Sequence, residues 1–254
     1  MLIDSHCHLN DPRFNDQQAA LIAAAAQAEV SDYVVPATTV SGWPAIHQLA
    51  TDYPGVHPAY GLHPWFIDQH DRDAMTQLSH WLASHPAVAV GECGLDFLRP
   101  NRPQQEQLFA AQIELARDCN LPLIIHAHKA LDRVIQMLRQ FPGVTGVIHR
   151  FSGSLDQAQR LIDLGLYVGV AAGITDTRQA KLRRTLAALP LERLLLESDA
   201  PDLPPAGVTA ELNAPEFLPL TLTALAELQQ QPPAQVARQT SLNSQHLFNI
   251  QASH

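Results

Sequence analysis

Eight short apolar runs recur along this chain, and longer stretches with helical spacing separate them. The runs are rich in β-branched residues and cover 2–4, 33–36, 56–61, 88–91, 121–125, 146–148, 167–170 and 194–196. Strands that alternate with helices form a parallel sheet that is covered on both faces. Eight such units in 254 residues predict closure into an α/β fold of the (β/α)8 TIM-barrel type.

The helical stretches predict the rest of the domain. Residues 104–119, 131–140 and 155–164 are rich in Ala, Leu, Gln and Arg at helical spacing. Residues 215–250 follow the eighth run and predict two extra C-terminal helices. No composition break interrupts the alternation, so we expect one barrel domain over residues 1–254.

Charge and cysteine usage exclude several classes of protein. The chain has 16 basic and 25 acidic residues, a net charge of −9, whereas proteins that grip duplex DNA electrostatically carry a basic face. Its three cysteines have no CxxC spacing, which argues against a zinc finger or a disulfide framework. The N-terminus lacks a signal-peptide pattern and no apolar run could span a bilayer, so we expect a cytoplasmic protein without a membrane segment.

Polar, potentially reactive side chains follow six of the eight predicted strands. In a barrel, the C-terminal strand ends form the face that carries the active site. The residues are His6 and His8 after the first run, His63 after the third, Glu92 after the fourth, His126 after the fifth, His149 after the sixth and Asp199 after the eighth. Each could instead be a hydrogen-bonded core residue, but burying all of them without a charge partner would be very costly.

These residue types in this pattern predict a metal centre. His6 and His8 are two positions apart on a strand, so both imidazoles point to the same side. Glu92 and Asp199 add carboxylates, and a carboxylate can bridge two ions. The ligands His6, His8, Glu92, His126, His149 and Asp199 are enough for two divalent ions about 3.5–4 Å apart. Imidazole-rich coordination favours Zn, Mn, Co or Ni over an all-oxygen Mg site, although availability in the cell could decide the working metal.

Other side chains near the same strand ends are candidates for substrate contacts. His63 could orient a leaving group or a phosphate oxygen. Arg150 directly follows a proposed ligand, and Lys129 lies in a neighbouring loop, so both could hold phosphate oxygens. Trp65, Phe66 and Phe97 could stack a base at the mouth. The absence of a G-x-S-x-G elbow and of a Walker loop weighs against serine hydrolases and NTPases.

Four motifs in order resemble the TatD family of metal-dependent hydrolases. They are Asp-x-His-x-His at 4–8, Gly-Glu-x-Gly-Leu-Asp at 91–96, His149 before Phe-Ser-Gly at 151–153, and Glu-Ser-Asp-Ala-Pro at 197–201. The resemblance covers nearly the whole chain. It implies a TIM barrel with one or two metal ions, deoxyribonuclease activity, and ligands at the same six positions.

The chain departs from the family pattern at two places. Many members have an arginine where this sequence has His128, which Lys129 follows. Leu-Asn-Ala-Pro at 212–215 is a reduced version of an Arg-Asn-Glu-Pro stretch. These changes leave the proposed ligands intact but alter the expected phosphate contacts. The chain therefore resembles less-studied TatD relatives more than the type member.

We therefore expect a metal-dependent phosphodiester hydrolase, a 3′–5′ exodeoxyribonuclease that acts on single-stranded DNA as a monomer. A metal-bridged hydroxide would attack phosphorus in line, and Asp199 would accept its proton. Glu92, Asp199 and His63 are the predicted catalytic residues. Arg150, Lys129 and His128 are the predicted substrate contacts, and the cofactors are two divalent ions (Mg, Mn or Zn).

Two alternatives remain at this stage. The same barrel with a His-x-His start occurs in amidohydrolases, which implies an esterase or deacylase, for example one acting on D-aminoacyl-tRNA. Many amidohydrolases carry a carbamylated lysine where Glu92 stands, and neither of the two lysines, Lys129 and Lys181, follows the fourth strand. The other alternative is a non-catalytic metal-binding scaffold, against which the complete ligand set argues.

Overall fold

A computed structural model describes residues 1–14 and 17–251, and its eight parallel strands pair in chain order. The strands are β1 (Leu2–Asp4), β2 (Val30–Pro36), β3 (Val56–Tyr60), β4 (Ala89–Asp96), β5 (Leu123–His128), β6 (Gly146–Ile148), β7 (Tyr167–Val170) and β8 (Leu194–Leu196). Each strand is followed by helical structure before the next strand or after the last. This architecture confirms the predicted TIM barrel.

The first and last strands meet at their C-terminal ends. The backbone N–H of Ser5 donates to the carbonyl of Leu196 at 2.9 Å, and the N–H of Asp199 donates to the carbonyl of His6 at 2.9 Å. These bonds curl the sheet into a nearly closed barrel. They also bring the motif after β1 and the motif after β8 to the same rim.

Nine α-helices are found within the described residues. They are α1 (Gln18–Gln27), α2 (Trp43–Asp52), α3 (Ala74–Ser84), α4 (Arg102–Asp118), α5 (Leu131–Leu138), α6 (Leu155–Asp163), α7 (Ala180–Ala187), α8 (Leu218–Gln229) and α9 (Pro233–Phe248). The last two are the extra C-terminal helices, and α9 contacts β1 and β8. In α9, the Asn243 amide donates to the carbonyls of Leu191 and Leu194 at 2.8 Å each. None of the helices in this part of the chain has the length and apolar character needed to cross a bilayer.

An apolar layer inside the barrel supports the strand ends. Every strand contributes one buried side chain to it: Ile3, Val34, Ala59, Ala89, Ile124, Val147, Tyr167 and Leu195. Strand side chains alternate between faces, so the residue two positions further along points to the same side. His126 follows Ile124 at this spacing, and His149 follows Val147. The interior layer therefore lies directly beneath the polar rim.

Two strands are longer than their apolar runs predict. The apolar runs end at residues 91 and 125, but β4 continues to Asp96 and β5 to His128. Pairing persists because Gly94 lies opposite His126 and adopts a φ of +123°, which favours glycine. A Cβ at this position would overlap the His126 carbonyl oxygen. Glu92 and His126 are consequently held on paired strands rather than on loops.

Candidate metal centre

All six predicted ligands meet at the rim, around the carboxylate of Glu92. This side chain is 2% exposed and extends from β4 among imidazoles from β5 and from the segments after β1 and β6. Its two oxygens face different partners. Oε2 lies 3.3 Å from His6 Nε2 and 3.6 Å from His8 Nε2, whereas Oε1 lies 3.2 Å from His126 Nδ1 and 3.1 Å from His149 Nε2. One carboxylate thus divides four histidine nitrogens into two pairs.

Asp199 supplies a second buried carboxylate beside this cluster. Its Oδ1 lies 3.7 Å from His6 Nε2, and its Oδ2 accepts a hydrogen bond from Arg150 Nη1 at 3.3 Å. The His6 and His149 rings stack with their centroids 3.9 Å apart, so Asp199 lies near both pairs of nitrogens. Burial raises the pKa of Asp199 above its ordinary value of 3.8. The carboxylate is therefore a stronger proton acceptor than a solvated aspartate.

His63 contacts the same carboxylate through an N–H group. It precedes a 3-10 helix (Pro64–Gln69), where its Nδ1 accepts the backbone N–H of Trp65 at 3.0 Å. The ring proton of the neutral form is therefore on Nε2, which donates to Glu92 Oε1 at 2.9 Å. Burial lowers the pKa of His63 to about 4, so the ring is neutral at pH 7. His63 orients Glu92 and offers no free lone pair.

The charges within the cluster stabilise one another. Burial opposes ionisation of Glu92, but the surrounding imidazoles, His63 and His149 first, outweigh it and hold the pKa of Glu92 well below its ordinary value. Burial likewise opposes protonation of His149, but Glu92 and Glu197 reverse this and raise its pKa well above the ordinary value. Burial lowers the pKa of His6 and of His8. Glu92 is therefore ionised beside His149 and His126, whose pKa values are raised, while burial favours the neutral forms of His6 and His8.

Two further carboxylates hold the rings of His126 and His149 from behind. Asp96 Oδ2 accepts from His126 Nε2 at 3.0 Å, while its Oδ1 accepts the backbone N–H of Leu98 at 2.9 Å. Glu197 is fully buried, with Oε1 3.6 Å from His149 Nδ1. A Cβ at Gly169 would overlap Glu197 Oε2, so only glycine leaves room for this side chain. Asp96 and Glu197 stand in the motifs at 91–96 and 197–201, but nothing in those patterns indicates that they contact the rings.

Asp4 braces the rim where the barrel closes. Its carboxylate accepts the backbone N–H of Ser198 at 2.9 Å and the Ser198 hydroxyl at 2.6 Å. Burial raises the pKa of Asp4 to about 7 despite these hydrogen bonds. Asp4 therefore ties the residues before His6 to the residue before Asp199, and it makes no contact of its own with Glu92 among the described hydrogen bonds and ion pairs.

The predicted substrate contacts lie at different distances from the centre. Arg150 and His128 line a cleft of about 470 Å³ together with the ligand cluster. Lys129 lines a neighbouring cavity of about 470 Å³ that it shares with Arg150. Among the described residues, that neighbouring cavity includes none of the six predicted ligands. The structure thus brings Arg150 and His128 to the cluster but not Lys129.

The donor set fits a divalent metal. Nitrogen and oxygen ligands about 2.1 Å from a tetrahedral ion are about 3.4 Å apart. The separations between the Glu92 oxygens and the four imidazole nitrogens run from 3.1 to 3.6 Å. His6 Nε2 and His8 Nε2 also face each other at 3.2 Å, as two ligands aimed at one ion would. His126, His149 and Asp199 also stand in groups of side chains that could hold metal, and His63, Asp96 and His128 belong to such groups as well.

Comparison with known proteins gives matches along almost the whole chain. A family model described as TatD related DNase matches residues 3–249. An uncharacterized metal-dependent hydrolase of Escherichia coli K12, YjjV, is 39% identical over 98% of each chain. A Klebsiella pneumoniae protein named 3′-5′ ssDNA/RNA exonuclease TatD is 33% identical over 98% of each chain.

A solved structure gives the same result in three dimensions. The crystal structure of YjjV, a TatD homolog from Escherichia coli K12, has a TM-score of 0.94 and 37% sequence identity, and the match covers 98% of each chain. The family match includes every residue of the cluster around Glu92. This chain belongs to the TatD family of metal-dependent hydrolases.

Proposed function

We propose that this hydrolase cleaves phosphodiester bonds of single-stranded DNA and removes nucleotides from the 3′ end. The observation that carries the proposal is the carboxylate of Glu92, whose two oxygens face two separate pairs of histidine nitrogens. Two adjacent ions that share a ligand are typical of phosphatases and nucleases. The 3′-5′ exonuclease name of the Klebsiella pneumoniae relative supports the same chemistry and polarity.

The ligand set of this proposal is the six-residue cluster. Glu92 would be shared by two divalent ions (Mg, Mn or Zn), and the remaining ligands are His6, His8, His126, His149 and Asp199. When bound, the ions supply Lewis acidity that lowers the pKa of water and polarises phosphoryl oxygens. They also supply positive charge where a chain of net charge −9 must hold a phosphate.

The chain's own residues position the reactants and move one proton. Asp199 accepts the proton of the attacking water as the water oxygen bonds to phosphorus and the bond from phosphorus to the leaving oxygen breaks. Burial prepares Asp199 for this role because it raises the pKa of the carboxyl group. His63 keeps Glu92 oriented through its Nε2–H group.

Three side chains near the cluster are the proposed binding partners of the substrate's phosphate oxygens. Arg150 is half exposed and points its Nη1 at Asp199, so its remaining N–H groups can bind a phosphate at the cluster. His128 lines the same cleft, in the position where many family members carry arginine. Lys129 faces the neighbouring cavity and is assigned to a phosphate further along the strand. This arrangement suits a flexible strand end better than a rigid duplex, and we propose that the protein acts as a monomer.

Metal-dependent trimming of labelled DNA tests this function. The protein is stripped of metal, reloaded separately with Mg, Mn or Zn, and incubated with 5′-labelled single-stranded DNA. We expect progressive shortening from the 3′ end with at least one metal, and about 100-fold slower shortening in His126→Ala, which loses a ligand. His80→Ala, at an exposed position on α3, should keep the wild-type rate. Release of the labelled 5′ nucleotide first would contradict the polarity, and intact DNA with every metal would contradict the function.

Removing the partner of His126 should weaken metal binding. A carboxylate that accepts the second ring N–H of a histidine ligand fixes its tautomer, and loss of such partners typically costs about 10–100-fold in metal affinity or activity. We expect Asp96→Ala to raise the Kd for Mn by about this factor and Asp96→Asn, which keeps an acceptor oxygen, to raise it less. Isothermal titration of the stripped protein with Mn measures both values.

The matched control for this titration is Asp118→Asn, at an exposed position at the end of α4. Its Kd for Mn should equal that of the wild-type protein. An unchanged Kd in Asp96→Ala would show that the hydrogen bond to His126 contributes nothing to metal binding.

A further inference from the structure

A third, smaller cavity opens beside the metal centre and adjoins the wide cleft. Its volume is about 240 Å³, against about 470 Å³ for the cleft. His149, Arg150 and Asp199 line both spaces. A phosphate held at the ligand cluster therefore has one smaller and one larger space next to it.

The floor of the small cavity is apolar. Phe151, Ile174 and Leu186 line it and are buried. Leu182 extends this surface, and Leu203, 54% exposed, lies at its edge. When an apolar group of a ligand covers an exposed leucine beside a charged catalytic centre, apolar surface is removed from water and binding is favoured.

The outer wall of the cavity is braced between two loops. One loop follows β7 and contains a 3-10 helix (Ala172–Thr175), and the other follows β8. The Thr175 hydroxyl donates to the Ala172 carbonyl at 2.7 Å and accepts the backbone N–H of Ala206 at 2.8 Å. Arg183 also donates to the Ile174 carbonyl. These bonds fix the cavity's shape before a ligand enters.

We propose that this cavity binds the base of the 3′-terminal nucleotide, and the inference rests on the proposed exonuclease function. The smaller cavity has about half the volume of the wide cleft and suits a single base, whereas the cleft, which Trp65 and Phe66 also line, can take the continuing strand. The apolar floor of Phe151, Ile174 and Leu186 accepts the face of a planar base of any identity, while Gln179 and Ser152 line the same cavity with polar groups. Activity therefore depends on the presence of a terminal base.

An abasic substrate measures the contribution of the terminal base apart from the other contacts between substrate and enzyme. Wild-type protein loaded with the most active metal is given two single-stranded oligonucleotides of equal length, one ending in a normal 3′ nucleotide and one ending in a tetrahydrofuran abasic nucleotide. We expect kcat/KM for release of the terminal nucleotide to be about tenfold lower for the abasic end, because the apolar contacts of the base are lost. A base removed five positions from the 3′ end should leave kcat/KM unchanged.

Two leucine variants assign the effect to the cavity. Leu203→Ser should lower kcat/KM about threefold for the normal end and leave the abasic end unchanged. Leu242→Ser, at a 45% exposed leucine on α9 that lines neither space among the described residues, should leave kcat/KM unchanged for both substrates. Equal cleavage of normal and abasic ends by the wild-type protein, or an equal loss on both ends in Leu203→Ser, would overturn the inference alone. Failure to release nucleotides from any end with any metal would overturn the proposed function and the inference together.

Discussion

Replacing Glu92 with glutamine is expected to reduce the rate of hydrolysis by about 10³-fold. The substitution keeps the shape of the side chain but removes the charge whose two oxygens contact both pairs of histidine nitrogens. A neutral amide can also no longer offer an acceptor oxygen on both sides, because one of its two ends is an NH2 group. Single-turnover kinetics and the metal content of the purified protein measure the effect, and we expect both to fall.

The stability of the metal-stripped Glu92→Gln protein provides an independent readout. The imidazoles around Glu92 lower its pKa, so the ionised carboxylate stabilises the folded state above its unfolded pKa. The Tm of the stripped variant at pH 7 should therefore be lower than that of stripped wild type. Glu106→Gln, which replaces a partly buried residue of α4 that pairs with Arg133, should retain the wild-type rate and metal content. Full activity in Glu92→Gln would contradict a mechanism in which two divalent ions share Glu92.

The sequence predicts the ligand cluster well because strand periodicity and barrel closure are simple rules. An apolar residue such as Ile124 predicts which way His126 points, since side chains two apart share a face. The chain order of the strands then predicts that the ends of β1 and β8 meet. No long-range detail beyond these rules is needed to bring His6 and Asp199 together.

The roles of the surrounding polar residues depend on distances that no pattern encodes. His63 stands at a strand end like the ligands, and only the Trp65 N–H on its Nδ1 identifies it as a donor to Glu92. Asp96 ends β4 and Glu197 follows β8, and each stands an even number of positions from a ligand, Glu92 or Asp199. Their positions behind His126 and His149 depend on side-chain rotamers and on the space left by Gly169. The tautomer of His63 and the carboxylate partners of His126 and His149 follow from three-dimensional distances and not from the sequence pattern.

Hydropathy also misplaces the ends of β4 and β5, for a physical reason. Their last residues are polar because they line a functional rim, and polar residues after an apolar run are typical of loops. The backbone continues to pair because Gly94 permits a conformation that other residues rarely adopt. The position of Lys129 is also not predictable from its place in the sequence. It directly follows His128, yet its backbone has a positive φ of 53° and its side chain lines the neighbouring cavity.

Asp199→Asn is expected to lower kcat by about 10²–10⁴-fold while KM changes little. The asparagine oxygen can keep one of the two contacts of Asp199, such as the hydrogen bond from Arg150, but the amide cannot take a proton from the attacking water. Steady-state kinetics on 3′-terminal DNA measure the split between kcat and KM. Asp156→Asn, an exposed position at the start of α6, should leave both constants unchanged.

The same substitution should stabilise the metal-stripped protein, in contrast to Glu92→Gln. Burial raises the folded pKa of Asp199 above 3.8, so ionisation in the folded state costs free energy once the pH passes this unfolded value. The Tm advantage of Asp199→Asn should therefore be absent well below pH 4, grow as the pH rises through the folded pKa, and stay constant above it. Thermal melts of both stripped proteins across this pH range measure the difference. A variant that loses kcat but melts below wild type at pH 7 would indicate a structural role for Asp199, because a proton acceptor held in a costly ionised state must gain stability when it is neutralised.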